Sequence, residues 1–122
     1  MDDGERREIV RKLDRAFGGA EDASPSATHD LHVLFASLEL PPPWQPSPTR
    51  ALAIFTNWPH QRPLFYVERS VIGATGEPPR SNHDAYHLDE SWRGFSWTEL
   101  PSHGDPVRAI QLWINRFVQE TT

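Results

Sequence analysis

Residues 55–67, FTNWPHQRPLFYV, place two prolines between two apolar runs. Trp58-Pro59 ends the first run, and Pro63 opens the second run, which continues from Leu64 to Val67. Because proline has a fixed φ and lacks an amide hydrogen, each proline interrupts strand pairing. The stretch therefore predicts two strands that are joined by a rigid, proline-bounded turn.

Strands are predicted on both sides of this turn, over residues 50–58 and 64–72, because both ranges are rich in β-branched and aromatic residues. Residues 31–40 carry apolar side chains at both odd and even positions, and Pro41 follows them. This pattern predicts a third strand. Periodicity alone also allows a buried helix there. The three ranges together indicate an antiparallel meander.

Both ends of the chain predict an amphipathic helix. Over residues 3–17, Ile9, Leu13 and Phe17 recur every four residues, and Gly18-Gly19 ends the pattern. Over residues 105–120, Asp105 is expected to cap the helix and Pro106 suits its first turn. Its apolar face contains Val107, Ile110, Ile114, Phe117 and Val118, with Trp113 at the margin.

The connections are rich in proline, which makes up 12 of 122 residues where ~5% is usual. In residues 41–48, PPPWQPSP, Trp44 is expected to fold back on the sheet while the prolines stiffen a loop. Recruitment of a proline-binding domain is the alternative. Residues 20–28 predict a polar linker, and residues 83–101, with irregularly spaced aromatics, a packed but mostly non-regular segment.

The composition limits the classes of function. With 122 residues, one domain spanning 1–122 is expected. A net charge of −5 argues against binding of nucleic acid or of an anionic membrane. No apolar run approaches the ~20 residues of a membrane span, and the acidic N-terminus is unlike a signal peptide, so a cytoplasmic protein is expected. Zero cysteines exclude disulfides and thiol catalysis.

The order of helix, meander, proline turn, aromatic segment and helix resembles the ubiquitin-conjugating enzyme fold, an α+β fold. Trp58-Pro59 and Pro63 are similar to the aromatic-Pro-x-x-Pro-Pro turn of that family, with Arg62 in place of the first proline of the pair. Residues 86–89, YHLD, are similar to its apolar-Cys-Leu-Asp active-site string, with His87 at the position of the cysteine. The His-Pro-Asn tripeptide that the family carries before that cysteine is absent.

Residues 91–97, SWRGFSW, also resemble the tryptophan-rich segment of divergent bacterial members of this superfamily. The resemblance implies a ubiquitin-like protein or an activating enzyme as the partner. It implies that the first helix presents basic residues, Arg7 and Arg11 among them, to the activating enzyme. The other candidate binding residues are Trp58, Pro59, Pro63, Trp92 and Trp97.

Thioester transfer needs a thiolate as nucleophile and leaving group, and this chain has none. We therefore expect a non-catalytic binding protein that resembles the ubiquitin-conjugating enzymes. One alternative is a divergent or cysteine-substituted conjugating enzyme that acts through the His87 loop, with His87 as the catalytic residue. Another is a small interaction or immunity-type protein unrelated to conjugation.

Two further patterns, in the first helix and at His83 and His87, have interpretations unrelated to conjugation. The charged first helix fits a solvated face with i, i+4 pairs such as Glu8–Lys12. His83 and His87 have the spacing of a helical zinc pair, but no helix is predicted there and the His-Glu-x-x-His motif is absent. No metal and no cofactor are expected.

Overall fold

The described part of the chain forms two helices and one antiparallel sheet. The computed structural model describes residues 1–25, 29–79, 82–84, 92–95 and 104–119. The helices are α1 (Asp3–Phe17) and α2 (Pro106–Gln119), and the strands are β1 (Ala20–Asp22), β2 (Leu31–Leu38), β3 (Thr49–Phe55), β4 (Leu64–Glu68), β5 (Asn82–Asp84) and β6 (Trp92–Phe95). The strand order in the sheet is β1-β2-β3-β4-β6-β5. This α+β layout confirms the predicted fold class.

Both helices begin at a capping aspartate, as predicted for Asp105, and α1 ends at the predicted glycine pair. The Asp2 carboxylate accepts a hydrogen bond from the Glu5 amide at 2.8 Å, and α1 stops at Gly18, whose φ of 74° suits glycine. The Asp105 carboxylate accepts a hydrogen bond from the Val107 amide at 2.9 Å, which caps α2. Both predicted helices are therefore confirmed.

The meander of β2, β3 and β4 positions the larger core. Val33 pairs with Ala53, and Ala53 with Phe65, so these side chains share one face of the sheet. Both helices cover this face. The buried cluster between helices and sheet includes Ile9, Leu13, Val33, Phe35, Phe55, Phe65, Val67, Phe95, Ile110, Trp113 and Phe117.

A second, smaller cluster lies on the opposite face of the sheet. Its buried members are Leu52, Ile54, Tyr66 and Trp92, with Leu34 partly buried beside them. Burial raises the pKa of the Tyr66 phenol. Strand β3 is consequently buried on both faces from Ala51 to Phe55, which is why its sequence is a continuous apolar run.

Trp44 folds back from the proline-rich loop onto the core, as predicted. Its side chain is buried, and its indole N–H donates a hydrogen bond to the Phe117 carbonyl at 2.8 Å. This bond satisfies one of the main-chain carbonyls at the C-terminal end of α2. A Cβ on Gly73 would lie 3.1 Å from the Trp44 ring, so a glycine at position 73 lets the loop approach.

One sequence-based expectation needs correction, and another gains short strands that the sequence did not indicate. Part of the predicted linker over residues 20–28 is strand β1, which pairs with β2. The segment 83–101 was predicted to be mostly non-regular, and its described residues add β6 and the greater part of β5, which extend the sheet beyond β4. These strands have three or four residues, too few for an alternating pattern to be recognised.

Candidate functional site

The proline turn between β3 and β4 presents Trp58 on a fixed backbone. The amides of His60 and Gln61 donate hydrogen bonds to the Asn57 carbonyl at 2.9 and 3.2 Å. The Trp58 ring packs edge-on against Phe55, with 5.0 Å between the ring centroids. The Trp58 side chain is half-buried, and its indole N–H forms no hydrogen bond within the described part of the chain.

Pro59 and Pro63 occupy different environments in this turn. Pro59 is exposed, whereas Pro63 is buried. The Pro63 carbonyl accepts a hydrogen bond from the Trp113 indole at 2.9 Å, and the Arg62 guanidinium lies 5.8 Å from the centre of the Trp113 ring. Pro63 therefore attaches the turn to α2, and a partner could reach Pro59 but not Pro63.

Residues of the turn, of α1 and of the start of α2 line an open groove of about 330 Å³, called the turn groove here. Trp58 and Pro106 supply apolar walls, and a row of charged side chains from α1 stands above them. The lining residues are Gly4, Glu5, Glu8, Ile9, Lys12, Trp58, Gly104 and Pro106. An aromatic side chain with a free polar atom beside charged groups is a common arrangement at protein-binding surfaces.

Glu8, on the rim of the turn groove, forms an ion pair with Arg11, which does not line that groove. The Arg11 guanidinium contacts the Glu8 carboxylate at 2.6 Å, and both side chains are about half exposed. The hydrogen bond from Arg11 holds the pKa of the Glu8 carboxyl below its ordinary value. The predicted surface pairing on α1 therefore exists, but Glu8 pairs with Arg11 rather than with Lys12.

Arg7 and Arg11 line a different groove, on the opposite side of α1 from the residues that line the turn groove. This second groove, of about 260 Å³, lies between α1 and strand β1 and is called the edge groove here. Its lining residues are Arg6, Arg7, Val10, Arg11, Asp14, Ala20 and Asp22. The predicted binding residues on α1 and at the turn therefore do not form one surface.

Of the remaining candidate residues, Trp92 lies in neither groove. Trp92 is buried in the second cluster, with the Arg50 guanidinium 5.3 Å from the centre of its ring. Glu68 forms an ion pair with the same guanidinium. His87 and Trp97 lie outside the described residues, so their roles stay predictions.

Glu5 and Glu8, the acidic side of the turn groove, were not among the predicted binding residues. Glu5, Glu8 and Lys12 follow one another at i, i+3 and i+7, a spacing that places them on one face of α1. That spacing was available in the sequence. The sequence does not show which segment lies beside this face of α1, because α1 and the Trp58 turn are about fifty positions apart in the chain.

A polar network around Ser24 holds β1 and its connection to β2 beside α1. The Arg6 guanidinium donates to the Ser24 hydroxyl at 3.3 Å and to the Asp30 carbonyl at 3.0 Å. The His32 amide donates to the same hydroxyl at 2.9 Å, and the Ser24 amide donates to the Asp22 carboxylate at 2.9 Å. Burial raises the pKa of Asp22, but the Ser24 hydrogen bonds and the Arg6 and His32 charges outweigh it and lower the pKa.

The lowered pKa of Asp22 predicts a pH-dependent contribution to stability. A depressed folded-state pKa stabilises the protein above the unfolded-state pKa of about 3.9, and the contribution fades as the pH falls towards the folded-state value. We expect Asp22→Asn to lower the melting temperature at pH 7, with a smaller difference from wild type at pH 3. Glu21→Gln is the matched control, because the neighbouring Glu21 is exposed and its carboxylate forms no hydrogen bond within the described residues. A difference that stays constant between pH 3 and 7 would contradict this prediction.

Comparison with known proteins gave no family assignment. No protein-family model, characterised protein or solved structure matches the chain. Within the described ranges, no group of three or more histidine, aspartate or glutamate side chains lies close enough to hold a metal ion. Among the same residues, neither helix has both the length and the apolar character needed to cross a membrane.

Proposed function

We propose that this protein is a non-catalytic relative of the ubiquitin-conjugating enzymes and that it binds a ubiquitin-like protein or an activating enzyme. The observation that carries the proposal is the position of the Trp58 turn. The turn joins β3 to β4 within the antiparallel meander and lies beside α1 and the start of α2. This arrangement resembles the helix, meander and proline turn of that family.

Binding without transfer is favoured by the chemistry of the chain. Thioester transfer requires a thiolate, and the sequence contains no cysteine. The imidazole of His87 would form only a labile acyl intermediate, so it does not replace a cysteine. A conjugating role through the His87 loop stays the alternative, and an interaction or immunity-type protein unrelated to conjugation is the other.

The turn groove is the proposed docking site. Trp58 offers a half-buried ring and a free indole N–H, and tryptophan is the residue type most enriched among the positions that dominate binding energies. Glu5, Glu8 and Lys12 surround it with exposed charge. A partner that covers this groove would bury the ring at the centre of the contact and meet charged groups at its rim.

The test is a titration of the purified protein with the ubiquitin-like proteins encoded in neighbouring genes, and with ubiquitin, by isothermal titration calorimetry. We expect saturable binding to one of these probes. Trp58→Ala should weaken that binding by about 30-fold, since the loss of a central tryptophan typically costs about 2 kcal/mol. Incubation with the activating enzyme and ATP should yield no covalent adduct of this chain.

Two further variants separate binding from folding. Leu64→Ala removes another exposed apolar side chain, 42% accessible and absent from the turn groove, and should bind as wild type. Because Trp58 also contacts Phe55, Lys12→Gln tests the same groove through an exposed charge in the middle of α1, and it should weaken binding with a nearly unchanged melting temperature. Failure of every probe to bind, or wild-type binding by both groove variants, would contradict the proposal.

A further inference from the structure

A third groove lies at the C-terminal end of α1, between that end, the end of β2 and the middle of α2. It has a volume of about 310 Å³ and is called the helix-end groove here. Its lining residues are Ala16, Phe17, Ser37, Leu38, Glu39, Gln111 and Ile114. Glu39 is the only charged residue among them, so the lining that the described residues supply has a negative charge and no positive one.

A β-bulge in β2 gives the helix-end groove its polar rim. The pairing of β2 with β3 shifts between Phe35 and Leu38, which changes the side chains of β2 that point into the core. Leu38 is consequently buried, whereas Ser37 before it and Glu39 after it are exposed. The rim therefore carries a hydroxyl and a carboxylate on either side of an apolar residue.

The polar side chains of the helix-end groove offer hydrogen-bond acceptors. The Glu39 carboxylate forms neither an ion pair nor a hydrogen bond within the described ranges. The Gln111 side-chain amide donates to Asn115 Oδ1 at 3.0 Å, and its own carbonyl oxygen stays open as an acceptor. The Ser37 hydroxyl can accept a hydrogen bond as well.

The last turn of α1 adds main-chain acceptors beside the groove. The Gly19 and Ala20 amides donate to the Asp14 carboxylate at 2.9 and 3.0 Å rather than to carbonyls of this turn. The carbonyls of Ala16 and Phe17 therefore accept no hydrogen bond from the described residues. Unpaired carbonyls at a helix C-terminus carry partial negative charge and attract cations.

The floor of the helix-end groove is apolar and includes an aromatic ring. Phe17 and Ile114 are half-buried and pack against the main core. The Phe17 ring meets the Phe35 ring edge-on, with 5.8 Å between the centroids, and this contact holds it in place. An arginine side chain matches such a floor, because its methylene stem covers apolar surface and its guanidinium stacks on aromatic rings.

We propose that the helix-end groove binds an arginine side chain of a partner protein. The guanidinium donates to the Glu39 carboxylate and to neighbouring acceptors, while the stem lies on Phe17 and Ile114. Charge complementarity selects a cation, since the lining and the whole chain, with a net charge of −5, are both acidic. Arginine is preferred to lysine because its fixed fork of five N–H donors can meet several separate acceptors.

This site is independent of the function proposed above. The helix-end groove shares no lining residue with the turn groove, which lies beside the N-terminal part of α1 and the start of α2. Failure of a ubiquitin-like protein to bind would therefore leave the arginine site standing, and loss of the arginine site would leave the turn groove unaffected.

The experiment titrates the ¹⁵N-labelled protein with the blocked tripeptide acetyl-Gly-Arg-Gly-amide and follows amide chemical shifts. We expect saturable shifts that are largest at Phe17, at Glu39 and at the side-chain amide of Gln111. The same tripeptide with citrulline, which keeps the shape of arginine but not its charge, should bind about tenfold more weakly. Shifts centred elsewhere, or equal binding of the citrulline tripeptide, would overturn the proposal. Equal binding of a lysine tripeptide would also overturn it, since any ammonium group would then serve.

Substitutions at the rim test the role of Glu39. Glu39→Gln should weaken binding of the arginine tripeptide by about fivefold, the upper range for an exposed ion pair. Glu77→Gln removes the same charge from an exposed position outside the groove lining and should change binding by less than about twofold. Equal effects of the two variants would reduce the attraction to net charge and overturn the proposal. Sedimentation of the free protein as a dimer that Glu39→Gln dissociates would also overturn it, since a second copy would then supply the arginine.

Discussion

Replacing Phe117 by alanine is expected to lower the free energy of unfolding by about 3–5 kcal/mol, the usual cost of truncating a core phenylalanine. Phe117 on α2 is fully buried, and its ring contacts Trp44, Phe65 and Phe95 at centroid distances of 5.7, 6.4 and 5.4 Å. The truncation would leave a cavity among three aromatic rings that cannot close without moving α2.

Urea denaturation followed by circular dichroism measures this loss. Val118→Ala is the matched control, because Val118 is the next residue on the same helix and is 55% exposed. We expect the control to change the free energy of unfolding by less than about 0.5 kcal/mol. A loss below about 1 kcal/mol for Phe117→Ala would contradict the packing of α2 against the sheet.

The second large effect is expected at Trp44, whose ring and indole N–H have separate roles. Trp44→Ala removes both and should lower the free energy of unfolding by about 3–5 kcal/mol. Trp44→Phe keeps much of the ring volume but removes the buried indole hydrogen bond to the Phe117 carbonyl, which should cost about 1–3 kcal/mol. Thermal and urea unfolding of the two variants measure the two contributions.

The Trp44 and Phe117 substitutions should not be additive. The two rings contact each other edge-on, and the indole donates to the main chain of Phe117. The double variant Trp44→Phe/Phe117→Ala is therefore expected to lose less stability than the sum of the two single variants. Equal stability of Trp44→Phe and wild type would show that the indole hydrogen bond does not stabilise the fold.

The parts of the fold that the sequence predicts correctly have long apolar patterns or patterns bounded by glycine or proline. Helix α1 has a four-residue apolar period that ends at Gly18-Gly19, and β3 and β4 are bounded by prolines. Trp44 was expected inside because a large apolar ring among prolines gains most from burial. These signals are local, so neighbouring residues are enough to read them.

The parts that the sequence does not predict depend on distant contacts. Strands β1, β5 and β6 are too short to show a period, and their pairing with β2 and β4 decides that they are strands at all. The separation of Trp58 from Arg7 and Arg11 depends on which side of α1 meets the turn. Likewise, Trp92 is a candidate binding residue by sequence, but the second cluster buries it.

The position of α2 in the chain has a consequence for folding during synthesis. Every strand of the sheet leaves the ribosome before α2, although α2 covers Phe65 and Phe95 and supplies the acceptor for Trp44, which is 73 residues away in sequence. Contacts across such distances form only after the entropy of loop closure has been overcome. The nascent sheet is thus expected to expose aromatic side chains until translation reaches α2, and chaperones that bind apolar segments should engage the chain during that interval.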